Sequence, residues 1–473
     1  MLTKQVIGVL ELASKYRYGL TSRGAPIYLF RPYSDDLPEY IVGCSAKGSD
    51  TTRNQIALVE IPTTFGDPPD GTKHRANLIR LIGPVGDYDA EREGLLLHYC
   101  PTKAVPETAV AVPDATDDRG REVLNAATGW ITFHVDPPGC RDVDDAIAFR
   151  PDTQTLAITI ADAAAAVPAG SAIDFAAEAI GATFYDSEGR AVRPMLPAAI
   201  SEGSASLLPG AQRRGVTLFI SPSGATRWGL TWITVDHGFT YESFVGSDVA
   251  HVVGAHGDPH EWIADLMIRY NMAAAETLRE YAAGILRTQR PADAAAVADW
   301  TAINPDLARL AHEAATYEFA CEDADQSHAG LGVAAYCHAS SPLRRYADLA
   351  NQRTLKALIT RRPLPILDGP LVAHLNERTR ANRRWARDLT FLERVKPGRV
   401  HLTDIIWVSP TQVWVPAWSR LLRLRHEVAT PPEPGTRGAI QIFCDPTKRN
   451  WRSRILTASA STPTTPPGPA TTD

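Results

Sequence analysis

The sequence predicts a mixed α/β (α+β) fold in which a large central body is flanked by two small strand-rich modules. The chain has 473 residues, more than one ordinary hydrophobic core accommodates, so several domains are expected. In the middle of the chain, the strand-like LAITIAD (156–162) precedes the helix-prone DFAAEAIGATFY (174–185), an alternation that is typical of α/β proteins. Near both ends, short apolar runs are separated by Gly, Pro and Asp turns, which indicates strands.

The composition is that of a folded protein without membrane segments. Hydrophobic residues make up 44% and charged residues 22% of the chain, which argues against disorder or a fibrous repeat. No apolar run approaches the roughly 18 residues of a membrane helix, and the N-terminal apolar run is too short for a standard signal peptide. The six cysteines lie far apart without a CxxC pair, as expected of reduced thiols. We therefore expect a cytoplasmic protein with no membrane association.

Residues 1–125 are predicted to form a small N-terminal module and a linker. Residues 3–15 have the pattern of a short amphipathic helix, and the segments YRYGL, APIYLF, EYIVGC and NQIALVEI after it resemble strands. The linker is the Pro-, Thr- and Asp-rich VPETAVAVPDATDDRG (105–120). Because a helix is predicted first, the pattern favours a winged-helix-like module at least as much as an OB-like barrel.

Residues 126–395 are predicted to form the α/β body. It starts with the strand-like GWITFHVD (129–136), and long Ala-rich patterns at 259–286 and 307–323 indicate its helical part. Across 343–395, apolar residues recur at helical spacing on both sides of the breaking segment RRPLPILDG. Two basic helices joined by a Pro-containing turn are therefore expected.

These two predicted helices concentrate positive charge in a chain whose net charge is −6. Between Arg344 and Arg394 there are 12 Lys or Arg residues and 5 Asp or Glu residues. The overall charge does not favour nucleic-acid binding, but the local excess of cations could bind phosphates. A solvated helical face is the alternative interpretation.

A separate C-terminal module is predicted at 396–457. The segments GRVHLTDIIWV, TQVWVPA, LLRLRHEV and GAIQIFC have the pattern of short strands, as expected of a five-stranded barrel. Its Trp407, Trp414 and Trp418 are candidates for base stacking, with burial in the core as the alternative. Residues 458–473 are expected to be a disordered tail, because this Ser-, Thr-, Pro- and Ala-rich stretch cannot bury enough apolar surface.

Four aspartates, Asp136, Asp142, Asp144 and Asp145, lie within the segment DPPGCRDVDDA. Carboxylates this close repel one another unless cations or protons neutralise them, and Mg²⁺ prefers carboxylate oxygens. A bend is needed to make them converge, since neighbouring residues of an extended chain point to opposite sides. Two ions about 3.5–4 Å apart would suit phosphodiester hydrolysis. The spacing does not fit an EF-hand loop, whereas an idle acidic loop remains an alternative.

A second polar segment, HAGLGVAAYCHASSPLRRYADL at 328–349, combines two histidines, two tyrosines, paired serines and paired arginines. Arg344 or Arg345 could donate two parallel hydrogen bonds to a phosphate and neutralise charge that builds on it. The alternative is a helix N-terminus capped by SSP, with the arginines on the surface. The segment by itself leaves both interpretations open.

Together the two segments resemble the ribonuclease II/ribonuclease R (RNB) family, whose marks are an Asp cluster DxxxxxDxDDA and a downstream H…GL…Y…SPIRRYxDL. The segments TIADAAAAVPAGSAID, RPMLP and ILRTQRP also resemble the corresponding segments of the family. The resemblance therefore spans roughly residues 125–395. It implies an RNB catalytic domain followed by an OB-type RNA-binding barrel at 396–457. It also implies processive 3′-to-5′ hydrolysis of single-stranded RNA to nucleoside 5′-monophosphates by a two-metal mechanism, with Mg²⁺ as the cofactor and Mn²⁺ as the alternative. No obligate protein partner is implied, and we expect a monomer.

The resemblance also implies roles for individual residues. Asp136, Asp142 and Asp145 match the family's metal-binding aspartates. Asp144 matches the aspartate on which cleavage most depends, and Arg344 matches the arginine that contacts the scissile region. The residues expected to contact RNA are Tyr185, Arg345, Tyr346, His338 and Ser341. Tyr185 falls where the family stacks an aromatic ring on the terminal base, and a role in the core is its alternative.

Several positions depart from the family pattern. Ala386 stands where relatives carry a glutamate, Gln289 where a histidine is common, and the stretch AAGIL near residue 283 lacks an aromatic of some relatives. The length of the final undigested product therefore does not follow from the resemblance. One small N-terminal module replaces the two cold-shock barrels that are typical of relatives. Two rival hypotheses stay open: a catalytically silent RNA-binding member of the fold, and a metal-dependent nuclease that acts on DNA.

Overall fold

The computed structural model of the protein describes residues 3–45, 51–62, 73–103, 118–322, 324–396, 398–424, 432–444 and 455–461. The chain divides into two compact units. One unit comprises Met1–Pro101, Ala294–Ala311 and Arg383–Asp473, and the other comprises Thr102–Asp293 and His312–Asn382. Within the described ranges, none of the helices combines the length and the apolar character needed to span a bilayer.

The N-terminal module is a closed five-stranded β-barrel followed by a helix. Its elements are β1 (Thr3–Leu10), β2 (Ile27–Pro32), β3 (Tyr40–Gly43), β4 (Gln55–Pro62), β5 (His74–Pro84) and α1 (Tyr88–Tyr99). The order around the barrel is β1-β2-β3-β5-β4, and β1 closes it by pairing antiparallel with both β2 and β4. A closed barrel of five strands is OB-like. The OB-like alternative is therefore confirmed, and the winged-helix-like alternative is wrong.

The helix predicted for residues 3–15 is wrong because β1 is buried on both faces. Val6 and Leu10 belong to one hydrophobic cluster of the module, whereas Ile7 and Val9 belong to a second cluster that includes residues of α1. Such a strand presents a continuous apolar run, which periodicity alone cannot distinguish from a helix. The strand predicted for YRYGL is also wrong, since this segment lies in the loop between β1 and β2.

The second unit is built on a seven-stranded sheet with the order β14-β7-β8-β9-β12-β13-β6. Its elements are β6 (Glu122–Leu124), β7 (Ile131–Val135), β8 (Asp145–Arg150), β9 (Thr155–Ala161), α2 (Ala163–Ala166), α3 (Ala172–Ile180), β10 (Phe184–Tyr185), β11 (Ala191–Arg193), β12 (Gln212–Ile220), β13 (Thr226–Thr234) and β14 (His237–Phe239). The pairs β6–β13 and β14–β7 are parallel, and the other pairs of the sheet are antiparallel. The short strands β10 and β11 form a separate hairpin.

The helical part follows the sheet in sequence. Its elements are α4 (Tyr241–Phe244), α5 (Asp248–Val252), α6 (Pro259–Glu280), β15 (Ile285–Thr288), β16 (Thr316–Phe319), α8 (Tyr346–Thr360) and α9 (Gly369–Arg394). Helix α7 (Ala294–Ile303) and the part of α9 from Arg383 onward belong to the first unit. Helix α6 packs on the sheet, where its buried Tyr270 shares a hydrophobic core with Phe133, Ile147 and Ile158. The helix predicted for 307–323 is wrong, because a 3₁₀ turn ends at residue 311 and β16 follows it.

The predicted pair of basic helices is present, but α8 is not a solvated face. Most of its residues are buried, and its cations are neutralised by acids of neighbouring elements. Arg353 binds Asp174 at 2.7 Å, and Lys356 binds Asp162 at 2.8 Å. Buried cations require such partners. The positive charges of Arg353 and Lys356 are therefore paired inside the fold and do not form a solvated basic surface.

The C-terminal module contains a five-stranded sheet with the order β19-β18-β17-β20-β21. Its strands are β17 (Val400–Ser409), β18 (Gln412–Val415), β19 (Arg420–Arg423), β20 (Arg437–Cys444) and β21 (Ile455–Ser461). Trp407 and Trp414 are buried, so the core alternative holds for these two tryptophans. Trp414 packs against Leu307 of the inserted segment 294–311. Strand β21 crosses the predicted limit at residue 457, and residues 462–473 of the predicted tail lie outside the described residues.

Candidate active site

The four aspartates lie on the connection from the end of β7 to the first residue of β8, within the seven-stranded sheet. Asp136 directly follows β7, and Asp145 is the first residue of β8, the antiparallel neighbour of β7. Gly139 adopts the left-handed backbone region with φ +80°, and the amide of Cys140 donates to the carbonyl of Pro137 at 3.1 Å. This tight turn supplies the bend that convergence of the carboxylates requires.

Ser206 holds the loop from a distant part of the chain. Its buried hydroxyl accepts a hydrogen bond from the amide of Val143 at 3.0 Å and donates to the carbonyl of Arg141 at 2.6 Å. The amide of Leu207 donates to the carbonyl of Val143 at 3.0 Å. Because its two partners lie 63 and 65 positions earlier in the chain, nothing in the sequence marks Ser206.

Asp144 joins the two motifs that the sequence singled out. Its carboxylate accepts from the amide of Leu343 at 2.8 Å and from Nε of Arg344 at 3.1 Å. The side chain is buried, with 4% exposure, whereas Arg344 keeps 43% of its side chain exposed. Burial raises the pKa of Asp144 to about 7, although Arg344 and the Leu343 amide act in the opposite direction. Residues 200 positions apart therefore form one site, with an arginine that reaches from a buried acid to solvent.

The other three aspartates have different partners. Burial and the neighbouring charges of Asp136 and Asp144 raise the pKa of Asp145 well above its ordinary value. Asp142 accepts a hydrogen bond from the hydroxyl of Tyr185 at 3.2 Å, and the Cys140 thiol lies 3.7 Å from its other oxygen. Like charges packed this closely in a buried place oppose joint ionisation, which a bound cation would relieve.

The donor set fits a hard divalent cation in its chemistry. Asp136, Asp142 and Asp145 offer carboxylate oxygens, the ligands that Mg²⁺ and Mn²⁺ prefer. Asp144 differs from them, since an arginine and a backbone amide already bind its two oxygens. In the described part of the chain, no group of three or more His, Cys, Asp or Glu side chains is arranged to hold a metal ion. The chemical type of these ligands therefore suits a divalent cation, but the carboxylate side chains would have to move closer together to bind one.

Tyr185 reaches the aspartates through backbone pairing with the arginine segment. The amide of Thr183 donates to the carbonyl of Arg344 at 2.9 Å, and the amide of Tyr346 donates to the carbonyl of Gly181 at 2.9 Å. Tyr185 follows on β10 and is half-buried. Burial and the charge of Asp142 raise the pKa of its hydroxyl. The structure thus places Tyr185 in the site and not in the hydrophobic core.

The two neighbouring arginines point to different partners. Arg344 donates through Nη2 to the hydroxyl of Ser341 at 2.9 Å, in addition to its bond with Asp144. Arg345 forms two parallel hydrogen bonds with the buried carboxylate of Asp348, both at 2.8 Å. The amide of Ser341 also donates to Asp348 at 2.8 Å. Asp348 thus holds the turn that carries Arg344, and Arg345 helps to hold it through its two hydrogen bonds to Asp348.

Tyr346 and His338 lie beneath the arginine turn. Tyr346 is buried, and its hydroxyl donates to Asp174 at 2.9 Å. His338 pairs through Nδ1 with the hydroxyl of Tyr317 at 2.7 Å. Burial lowers the pKa of His338 well below its ordinary value, and the charges of Arg345, Arg287 and Arg344 act in the same direction. A contact of either side chain with RNA stays a prediction.

Tyr241 is a candidate residue that sequence reasoning missed. Burial and the charges of Asp136 and Asp145 raise the pKa of its hydroxyl, so this hydroxyl lies within electrostatic range of the two carboxylates. The ring of His260 stacks on the Tyr241 ring with a centroid distance of 3.6 Å and an interplanar angle of 19°. The tyrosine belongs to a segment without other polar motifs, so nothing in the sequence marked it.

Gln289, which departs from the family pattern, has a local structural role. Its side chain donates to the carbonyl of Glu313 at 2.7 Å and accepts from the amide of Gly330 at 3.0 Å. A Cβ atom at Gly330 would lie 2.3 Å from the Gln289 oxygen. The glutamine therefore fixes the turn that opens the polar segment at 328–349.

Comparisons with known proteins show the family and the fold to which the chain is similar. The family model of the RNB domain matches residues 125–245 and 235–361. Ribonuclease R of Helicobacter pylori is 25% identical over 369 residues, which cover 59% of this chain and 54% of that protein, so the match spans about half the length of the relative. The apo form of Mycoplasma genitalium RNase R matches with a TM-score of 0.70 at 16% identity, covering 96% of this chain and 89% of that chain. Yeast Ssd1, described as a pseudonuclease, matches with a TM-score of 0.68 at 16% identity, covering 93% and 67%.

Proposed function

Because the chain belongs to the RNB domain family, we propose that it is a processive 3′-to-5′ exoribonuclease that hydrolyses single-stranded RNA to nucleoside 5′-monophosphates. The observation that carries this proposal is the contact between buried Asp144 and half-exposed Arg344. It assembles the aspartate cluster and the arginine segment into one site that matches the needs of phosphodiester cleavage. Each partner alone is compatible with a structural role, whereas their union beside three further carboxylates is not explained by packing.

The proposed mechanism assigns separate jobs to the aspartates. Mg²⁺, or Mn²⁺ as the alternative, would be held by Asp136, Asp142 and Asp145, and a two-metal arrangement supplies activation of water and stabilisation of charge on phosphate oxygens. Asp144 orients the guanidinium of Arg344 by accepting from its Nε. The exposed part of this guanidinium can then donate to a phosphate oxygen and stabilise the charge that develops there.

Tyr185 is proposed to hold the terminal base. Its ring is half-buried, and its hydroxyl is fixed by Asp142, which orients the ring beside the metal-binding carboxylates. Stacking on an aromatic ring is sequence-tolerant because every base has a π-face. This supports a substrate defined by its single-stranded end. Mycoplasma genitalium RNase R has been solved with ribose-methylated single-stranded RNA and with double-stranded RNA.

We further propose a cytoplasmic monomer in which the OB-like modules bind RNA upstream of the scissile bond. Five-stranded OB-type modules commonly bind oligonucleotides; the N-terminal one is a closed barrel, and the C-terminal one contains a five-stranded sheet. The cysteines whose side chains the structure describes form no disulfide bond, which suits a reducing compartment. No obligate protein partner is required by this proposal.

A catalytically silent RNA-binding protein is the second candidate, favoured by the likeness to the pseudonuclease Ssd1. The presence of all four aspartates and of Arg344 supports the enzyme instead. A nuclease acting on DNA is a third candidate, and contacts to 2′-hydroxyl groups would distinguish it.

The test uses RNA labelled at either end, incubated with and without Mg²⁺. The wild type is expected to release 5′-monophosphates from the 3′ end in the presence of Mg²⁺, and Asp144→Asn is expected to release none. Asp152→Asn is the matched control, since this exposed acid pairs with Arg150 on the surface. Internal fragments, equal cleavage of DNA, or an active Asp144→Asn variant would each contradict part of the proposal.

A further inference from the structure

We infer that His134 is a positioning residue that fixes the carboxylate of Asp136 for a divalent cation. His134 lies on β7 and is 8% exposed. Its Nδ1 lies 2.8 Å from an Asp136 carboxylate oxygen, the distance of a strong hydrogen bond to a carboxylate. The inference rests on the proposed function, since it concerns the same metal site.

Asp136 is held from two directions. Its amide donates to the carbonyl of Phe239 at 3.0 Å, which ties its backbone to β14. Its side chain is held by His134, two residues earlier, and residues two apart on a strand lie on the same face. With its backbone and one carboxylate oxygen held, Asp136 has a fixed orientation at the end of β7, two residues after His134.

The imidazole fits this place because Gly238 leaves room for it. Gly238 is the parallel-strand partner of His134. A Cβ atom at residue 238 would lie 2.7 Å from Nε2 of His134, closer than atoms that are not bonded approach. The backbone of Gly238 does not have positive φ, so the requirement for glycine is one of space.

His134 is therefore not itself a metal ligand. One ring nitrogen faces Asp136, and the other lies against Gly238. A carboxylate that binds a metal ion usually accepts a hydrogen bond from a residue that does not itself contact the metal. Loss of such a partner typically lowers metal affinity by about 10–100-fold. His134 has the geometry of this outer partner for Asp136.

Substitutions at residue 134 distinguish this role from simple packing. In histidine, Nδ1 is bonded to Cγ, and the amide nitrogen of asparagine occupies the equivalent atom position. His134→Asn therefore keeps a donor at the right place, whereas His134→Gln moves it one bond further and His134→Ala removes it. The expected order of metal affinity is wild type and His134→Asn, then His134→Gln, then His134→Ala.

The experiment measures Mn²⁺ binding to the full RNA-free chain by electron paramagnetic resonance. His134→Ala is expected to raise the Kd for Mn²⁺ by at least about 10-fold, and His134→Asn by no more than about 2-fold. His256→Ala, at an exposed loop position, is the matched control and should leave the Kd unchanged. An unchanged Kd in His134→Ala, or equal losses in His134→Ala and His134→Asn, would overturn the inference.

Gly238→Ala provides an independent arm, because it displaces the imidazole without removing it. It should weaken Mn²⁺ binding as His134→Ala does, and the double variant should be no weaker than either single variant, since both act on one contact. Additive losses would overturn the inference. A wild type that binds Mn²⁺ with this dependence but releases no nucleotide from RNA would contradict the proposed function alone. A wild type that cleaves RNA, with His134→Ala binding Mn²⁺ normally, would contradict the inference alone.

Discussion

Replacing Asp162 with asparagine perturbs a buried ion network directly beside the candidate site. Asp162 binds Arg121 at 2.6 Å and Lys356 at 2.8 Å, and its own side chain has no exposed surface. Its neighbour Ala161 donates its amide hydrogen to the carbonyl of Asp144 at 2.8 Å. The network therefore joins Arg121 just before β6, Asp162 just after β9, and helix α8.

The magnitude follows from the two cations that the substitution leaves behind. Arg121 is fully buried in its side chain and Lys356 is 8% exposed, so water cannot replace the lost carboxylate. Removing one member of a buried ion pair typically costs about 3–5 kcal/mol. Asparagine is as good an N-cap as aspartate, so the cap of α2 at Asp162 survives and the loss reports the charge. We expect the free energy of unfolding to fall by about 3–5 kcal/mol at neutral pH.

The dependence on pH has a definite sign. Burial would raise the pKa of Asp162, but Lys356 and Arg121 outweigh it, and the pKa is lowered in the folded protein. The charge of Asp162 thus contributes stability above the unfolded-state pKa of about 3.9. This contribution is lost as the pH falls through the lower folded-state pKa. The difference between wild type and Asp162→Asn should therefore be constant above about pH 5 and shrink in stronger acid.

Urea denaturation of both proteins across this pH range measures the effect. Asp152→Asn is the control, since its pair with Arg150 is exposed at 63% and 40%, and such pairs contribute at most about 1 kcal/mol. A loss in Asp162→Asn below about 1 kcal/mol at neutral pH, or a difference that does not shrink in acid, would refute the reasoning.

Three further predictions concern RNA. Arg344→Lys keeps the charge but cannot reproduce the bonds to Asp144 and Ser341, so single-turnover cleavage should slow by about 100-fold with RNA affinity nearly unchanged in filter binding. Tyr185→Phe keeps the aromatic ring and should bind RNA as the wild type does. Tyr185→Ala should lose about 1–3 kcal/mol of RNA-binding free energy. Equal RNA affinity of the two variants would contradict base stacking. Arg17 lies in an exposed loop of the N-terminal barrel, 4.3 Å from the centre of the Tyr28 ring. If Arg17 contacts a phosphate, Arg17→Ala should reduce the magnitude of the slope of log K for RNA binding against log salt concentration by about 0.7. An unchanged slope would exclude a phosphate contact there.

The parts of the site that the sequence predicted are those carried by dense polar motifs. Two segments far apart in sequence suggested a common site, and the contact of Asp144 with Arg344 unites them. What the sequence could not show are partners supplied by unmarked segments. Ser206 and Tyr241 stand in ordinary mixed surroundings, and they come near the aspartates only through the tertiary fold. His134 lies only two residues before Asp136, but it stands in the apolar strand β7 and carries no recognisable motif.

The fold errors have a related cause. Strand β1 was predicted as a helix because both of its faces are buried, which removes the alternation that marks a half-exposed strand. Helix α8 has the composition of a basic surface, but its cations Arg353 and Lys356 bind Asp174 and Asp162. Since these acids come from different parts of the chain, burial of the charges could not be inferred from the helix alone.

The most direct test of the central claim is cleavage of single-stranded RNA in water enriched in ¹⁸O. If the protein hydrolyses RNA from the 3′ end, each released nucleoside 5′-monophosphate should carry one ¹⁸O atom in its phosphate, and Asp144→Asn should release none. Mass spectrometry of the released nucleotides measures both. Nucleoside diphosphates, unlabelled monophosphates, or no release by the wild type in the presence of Mg²⁺ would contradict the account.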